Sequence, residues 1–290
     1  MTASRRFVFV QFEFPWVLGP EPGRYTIREW LGEPPAHILV LHTLGAAERR
    51  LLPRRRRRRE APAEPSPAAV ATSRATLVDA AALESREAAE RRLREEDPDA
   101  LADAAVLRLN RLLHAHRVAR ADPYVREVAR EQALVVRVGY GDGERVADGR
   151  WDRALELPAA PRRGARGAGR RLSALRPQER LAALLAGRDV ALACEELALR
   201  ARSDVDAGRL REAALQLAAA FEAALAELEP WRDDARLGEA LAELRARSGE
   251  VADAAAAALR GGLDDEHVVT VRAALARLEA ALRARTAGGL

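Results

Sequence analysis

Apolar residues along this chain change their spacing near residue 80. Before it they alternate or run densely, as strands require. Beyond it they recur every three or four positions, as helices require. Arg6–Phe14 (RFVFVQFEF) and His37–Leu44 (HILVLHTL) are β-branched and aromatic and predict two strands. The cluster Gly19-Pro20-Glu21-Pro22-Gly23 predicts a turn, with Tyr25–Arg28 as a short strand after it. Val70–Val78 alternates Val70 and Thr72 against Ala71 and Ser73 and predicts a fourth strand. In Pro53–Pro67 six consecutive arginines precede Ala, Pro, Glu and Ser, so repelling charges and prolines predict a mobile loop.

The helical part begins with Asp79–Glu96, charge-rich and amphipathic. Asp97-Pro98 is a start signal, the Asp as cap and the Pro in the first turn. Leu101, Ala105, Leu109, Leu112 and His116 then share a face. Asp122-Pro123 repeats the signal ahead of Val125, Val128, Gln132, Val135 and Gly139, predicting another helix, while the β-branched cluster in Ala133–Tyr140 keeps a strand open there. Ala159–Arg171 has no apolar period and is rich in Gly and Arg, which marks a boundary. Beyond it Pro177 opens a helix, Gly187-Arg188-Asp189 interrupts, and Ser203–Asp206 caps the next segment. There Leu210, Leu217, Phe221 and Leu228 form a stripe. Trp231–Arg247 is read as ending at Ser248-Gly249, Val251–Arg260 as a short helix, and Asp264-Asp265 as the cap for Val271, Leu275, Leu278 and Leu282.

The expected fold is therefore α+β: a small antiparallel N-terminal sheet followed by helices, then an all-α C-terminal bundle. Residues 1–158 form the first domain, with the sheet in 5–80, the mobile loop at 53–67 and helices in 80–139. Residues 159–176 are a linker and 177–290 the helical bundle.

Composition alters how the arginines are read. All 48 basic residues are Arg, against 44 acidic ones, and Asn110 is the chain's one asparagine. Such a profile suits a GC-rich coding bias, so an Arg need not have been chosen for its planar fork. Residues 49–59 hold eight Arg and residues 162–176 hold six, without an acid between them. Those fourteen positive charges against a net of +4 leave −10 on the remainder: an acidic body with two basic strips.

Candidate chemistry is sparse. Cys194, the lone cysteine, is expected in an apolar helix beside Glu195 and Glu196, which oppose thiolate formation, and excludes a disulfide. His114 and His116 sit two apart on a helix and point away from each other, so no metal site is expected. His37 and His42 fall on opposite faces of their strand. The loop Gly139-Tyr140-Gly141-Asp142-Gly143-Glu144 lacks a dinucleotide or P-loop pattern. Tyr140, Asp142, Glu144 and Trp151 are nonetheless the candidate ligand residues. Arg54, Arg55, Arg56, Arg57, Arg58, Arg59, Arg162 and Arg163 are the candidate polyanion contacts, for nucleic acid or an anionic surface. No serine-triad or zinc-protease motif occurs, and no catalytic residue or cofactor is expected.

No apolar run reaches the roughly 20 residues of a membrane span, and Glu13 interrupts the stretch after Arg5-Arg6 that a secretory leader would need. A cytoplasmic location follows as the expectation. The reading is of a non-enzymatic interaction or assembly protein, with a protein partner or self-association through apolar helix faces carrying Leu210, Leu217, Phe221, Leu275, Leu278 and Leu282. The alternatives are polyanion association through the arginines, with weak nucleic-acid contact, and a small-ligand binder or enzyme using the Gly139–Trp151 loop.

Overall fold

The computed structural model describes residues 5–29, 32–45, 70–158 and 177–287. They belong to two compact units, Met1–Arg162 and Arg163–Leu290. Mixed α+β architecture is what the chain adopts. Residues 53–67 and 159–176 lie outside the described residues, and with them Arg54, Arg55, Arg56, Arg57, Arg58, Arg59, Arg162 and Arg163.

In the first unit six strands form one antiparallel sheet: β1 (Phe7–Phe14), β2 (Gly23–Ile27), β3 (His37–Leu44), β4 (Thr72–Asp79), β5 (Val135–Gly141) and β6 (Arg153–Glu156), in the order β2-β3-β4-β1-β5-β6. Strand β1 lies between β4 and β5, which is why its sequence is the most aromatic in the chain: it is covered on both faces. Val10 stands opposite Leu77 and Val138, and Phe12 opposite Ala75 and Val136. These side chains point to one face and pack with Ala102, Ala105, Leu109 and Leu113 of helix α2 (Pro98–Arg120). Helix α1 (Arg86–Glu95) precedes it, capped by Ser85. Asp97 caps α2 by accepting from the Asp99 N–H at 3.0 Å, as the Asp-Pro signal predicts.

The opposite face carries the other parity, Phe9, Gln11 and Glu13. At one end Phe9, Val78 and Val146 form a small apolar cluster under Trp151. Further along, Gln11 donates to Thr76 Oγ1 (2.9 Å), and Glu13 accepts from Arg74 (2.9 Å) and Arg137 (3.0 Å). Burial alone would raise the Glu13 carboxyl, but these two guanidinium groups hold it below the usual carboxylate range.

Two assignments differ from the sequence expectation in this unit. Residues 122–134 form no α-helix, only a single 3-10 turn at Arg130–Gln132, and the sheet extends beyond residue 80 to Glu156. Helix α2 ends at Ala121, in the left-handed conformation (φ 51°), and the Asp122 side chain accepts from the Tyr124 N–H at 2.9 Å, closing a turn. The start signal was thus consumed locally. Val135, Val136 and Val138 instead complete the sheet beside β1, the strand alternative.

The second unit holds helices α3 (Pro177–Leu185), α4 (Ala193–Asp206), α5 (Leu210–Glu227), α6 (Ala235–Arg260) and α7 (Asp265–Ala287). Leu217, Phe221, Leu275 and Leu278 are fully buried in their common core, Leu282 packs against it, and Leu210 is half-buried. Ser203–Asp206 closes α4 instead of capping α5. Ser248-Gly249 does not stop α6, which runs unbroken for 26 residues. Leu244 and Val251, buried on either side, hold the same stripe across the exposed Gly249. No helix among the described residues is long and apolar enough to cross a membrane.

Candidate functional site

The residues of the glycine-rich loop do not converge. Tyr140 lies opposite Val8, on the helix-covered face, fully buried, and its hydroxyl donates to Glu90 Oε1 at 2.9 Å. Burial and that carboxylate push the phenol above its ordinary range. Trp151 stacks on Phe9 with centroids 5.7 Å apart, on the other face of the sheet. Asp142 and Glu144 are at the surface, Glu144 accepting from Arg24 Nε at 2.7 Å and Asp142 pairing with Arg145 at 3.4 Å. The sheet itself therefore separates Tyr140 from Trp151. The glycines serve packing: a Cβ on Gly141 would stand 2.7 Å from Val146 Cγ1.

The remaining candidates are placed as follows. Cys194 is buried at the start of α4, and burial with the Glu227 carboxylate pushes its thiol up to about 12. Glu227 accepts from the backbone N–H of Ala193 (3.0 Å) and Cys194 (2.9 Å), a capping role. The His114 ring lies 3.0 Å from Arg117 Nη2, and His42 lies 3.9 Å from Asp148. Among the described residues no group of His, Cys, Asp or Glu could hold a metal.

Two concave features of the first unit were not anticipated. One is a groove of about 470 Å³ between the loop after β1 and the irregular stretch after α2. Trp16, Val17, Tyr124, Val125 and Val128 line it, with Asp122, Arg126 and Glu127 among its polar residues. Trp16 is 37% exposed and Tyr124 83% exposed. Of the chain's twelve aromatic residues, these are the two that are exposed among the described ones, and both face this groove. Its walls are fixed from beneath. The Leu18 N–H donates to buried Ser73 (3.1 Å), Trp16 packs against Phe14 (5.5 Å between rings), and Asn110 binds Val128. The available sequence signal is an aromatic residue embedded in turn chemistry, Pro15-Trp16 and Pro123-Tyr124, where no core stripe accounts for it.

The other feature is a pocket of about 630 Å³ on the helix-covered face. Val8, Val10, Leu77, Leu101 and Ala105 supply an apolar floor, while His37, Asp79, Arg92 and Arg108 supply the polar side. Arg92 is occupied by Asp79 (2.7 Å) and Glu96 (2.9 Å), and the second Asp79 oxygen accepts from the Ala81 N–H (3.0 Å). Arg108 Nε stands 3.8 Å from Glu29, whose other oxygen takes Arg111 at 2.7 Å. Arg108 Nε and His37 Nδ1 are buried without a hydrogen-bond partner. Burial, then the Arg108 charge, lower the His37 imidazole below its ordinary range.

No family model matches the chain, and comparisons with curated proteins and with solved structures return no match.

Proposed function

We propose that the chain is a non-enzymatic interaction protein that engages a partner protein through the Trp16–Tyr124 groove. The observation that carries this reading is the coincidence of the two exposed aromatic residues in one groove. Large apolar side chains left in water are costly, and a contiguous patch of them marks a contact surface more often than an isolated one does. Trp and Tyr also dominate the energetics of protein contacts, because each removes a large area from water at little cost in side-chain freedom.

The partner segment we infer brings an apolar side chain into the groove beside a basic one. Val17, Val125 and Val128 offer apolar walls, and the carboxylates of Asp122 and Glu127 outnumber the single guanidinium of Arg126. The helix stripes of the second unit play no part in this reading. Leu217, Phe221, Leu275 and Leu278 are used within their own core, Leu282 packs against it and Leu210 is half-buried, so they have little surface to offer.

Photo-crosslinking tests it. Tyr124→benzoylphenylalanine in the full chain, expressed in its native host, should form a discrete adduct with one other protein. The adduct should disappear with Trp16→Ser and weaken with Asp122→Arg. Leu155→benzoylphenylalanine, on exposed β6, is the control. Adducts no stronger at 124 than at 155, or adducts only between two copies of this chain, would overturn the proposal.

A further inference from the structure

We propose, resting on the reading of the Trp16–Tyr124 groove as a contact surface, that its partner protein presents a proline-rich segment in the polyproline II conformation with an arginine at one end.

The kind of backbone follows from the groove walls. The lining residues, 16–19 on one side and 122, 124–128 and 132 on the other, hold no strand, so there is no sheet edge to which an extended peptide could add. The Val128 N–H and carbonyl are already taken by Asn110. What the walls offer instead are side-chain donors. Neither the Trp16 indole N–H nor the Tyr124 hydroxyl bonds to another described residue; of Tyr124 only the backbone N–H is engaged, by Asp122. Each of the two can donate to a peptide carbonyl. An α-helix uses its carbonyls on its own N–H groups. A polyproline II helix has no internal hydrogen bonds, so its carbonyls stay free to accept.

The placing of the rings fits the same backbone. Trp16 rests on Phe14, with 5.5 Å between ring centroids, and Tyr124 comes from the segment across the groove. The ligand must therefore present apolar groups at two points along its length. In polyproline II every third residue returns to the same side, about 9 Å further on, so two prolines three apart offer one ring to each aromatic face. Proline also arrives with its backbone already restricted, and little conformational freedom is lost on docking.

Charge completes the class. Asp122 and Glu127 against Arg126 leave the groove net negative. An arginine answers it twice over, since its fork bonds a carboxylate through two N–H groups and its plane stacks on an aromatic ring. A glutamate in the same place meets repulsion.

Titration of the full chain with four synthetic peptides, followed by the Trp16 indole N–H resonance, provides the test. The probes are an oligoproline with a terminal arginine, the same oligoproline with a terminal glutamate, a glycine–serine peptide with the arginine, and an alanine-rich helical peptide with the arginine. Loss of the resonance in Trp16→Phe assigns it. The arginine oligoproline should bind about tenfold or more tightly than each of the others, as a charge-assisted hydrogen bond implies. Asp122→Asn keeps an acceptor for the Tyr124 N–H, so the turn survives, and should narrow the margin over the glutamate oligoproline. Tyr124→Ser should weaken the arginine oligoproline about tenfold without affecting far-ultraviolet circular dichroism, because the ring is exposed. Equal binding of the helical or the glycine–serine peptide would overturn the polyproline assignment. Equal binding of the two oligoprolines would overturn the arginine, and no binding by any peptide would overturn both. A photo-crosslinked adduct at 124 beside any of those results would leave the groove a contact surface for another class of segment, whereas loss of the adduct removes the surface itself.

Discussion

Asn110 and Val128 exchange two hydrogen bonds, the Asn110 amide donating to the Val128 carbonyl and accepting from the Val128 N–H, each at 2.8 Å. The side chain acts as a piece of backbone, pairing helix α2 with a stretch that has no helix or strand of its own. That stretch carries Tyr124, Val125 and Val128, so the clamp sets one wall of the aromatic groove.

Asn110→Ala would leave a buried backbone donor and acceptor unpaired together. The expected loss is about 2–3 kcal/mol of stability in the first unit. Asn110→Asp should be no milder, since its carboxylate would face the Val128 carbonyl. Hydrogen exchange at the Val128 amide, measured beside urea unfolding, checks this: protection there should fall first and furthest. Unchanged exchange at Val128 would show that the clamp does not hold the groove.

Gly139 and Gly249 should respond to the same substitution with opposite signs. A Cβ on Gly139 would stand 2.2 Å from the Arg153 carbonyl oxygen and 2.9 Å from the Ala154 Cα, backbone atoms of the neighbouring strand that cannot step aside. Gly139→Ala should therefore cost about 3 kcal/mol or more and loosen the β5–β6 pairing. Gly249 lies on the exposed side of α6 with nothing within 4 Å of the added carbon. Gly249→Ala should stabilise the second unit by about 0.5–1 kcal/mol. Urea midpoints read for each unit separately decide both.

Those two glycines also show why parts of the fold were legible and others were not. Strand β3 runs over His37–Leu44 as its dense apolar pattern predicts, because one face of such a run must be buried whatever it pairs with. Strand β5 was ambiguous because two local signals competed. Asp122-Pro123 reads as a helix start, and only pairing with β1, some 120 residues earlier, decides for a strand. Ser248-Gly249 reads as a stop, yet the burial of Leu244 and Val251 outweighs a local cost of about 1 kcal/mol. The groove was hidden for a related reason: Trp16 and Tyr124 come from segments about a hundred residues apart and are joined by tertiary contacts. The most specific clue was Asn110, the one asparagine in the chain, placed where an apolar residue would otherwise continue the α2 stripe.

Cys194 should be chemically silent until the second unit opens. The thiol is fully buried, and burial together with Glu227 pushes it up to about 12, so almost none is ionised near neutrality. Labelling by a disulfide reagent at pH 8 should be slow in buffer and should rise with urea along the unfolding curve of the second unit. Rapid labelling of the native chain would mean that the start of α4 opens locally, against the packing of the core.

Arg285 is buried to 2% exposure in the last turns of α7, lies 4.8 Å above the Trp231 ring, and donates to Asp189 at 2.9 Å. Arg180 reaches the same Asp189 (3.2 Å) and Glu195 (2.6 Å), so two arginines and two acids tie α3, α4 and α7 together. Burial by itself would raise the Asp189 carboxyl, but the Val190 N–H, Arg285 and Arg180 hold it below its ordinary value. A carboxyl depressed in the folded state binds fewer protons there than in the unfolded chain. It therefore contributes stability that is complete above the unfolded value, near 3.9, and is lost as pH falls through the lower folded value. Arg285→Ala should cost about 3 kcal/mol at neutral pH, because it leaves Asp189 and Glu195 with one guanidinium in place of two. Arg285→Lys should recover only part of that loss, since an ammonium neither stacks flat on Trp231 nor bridges Asp189 and Glu195. Urea midpoints of the second unit from about pH 5 down to pH 2 should fall less steeply in Arg285→Ala than in the parent. Parallel slopes would show that Asp189 draws its low proton affinity from Arg180 and the Val190 N–H alone.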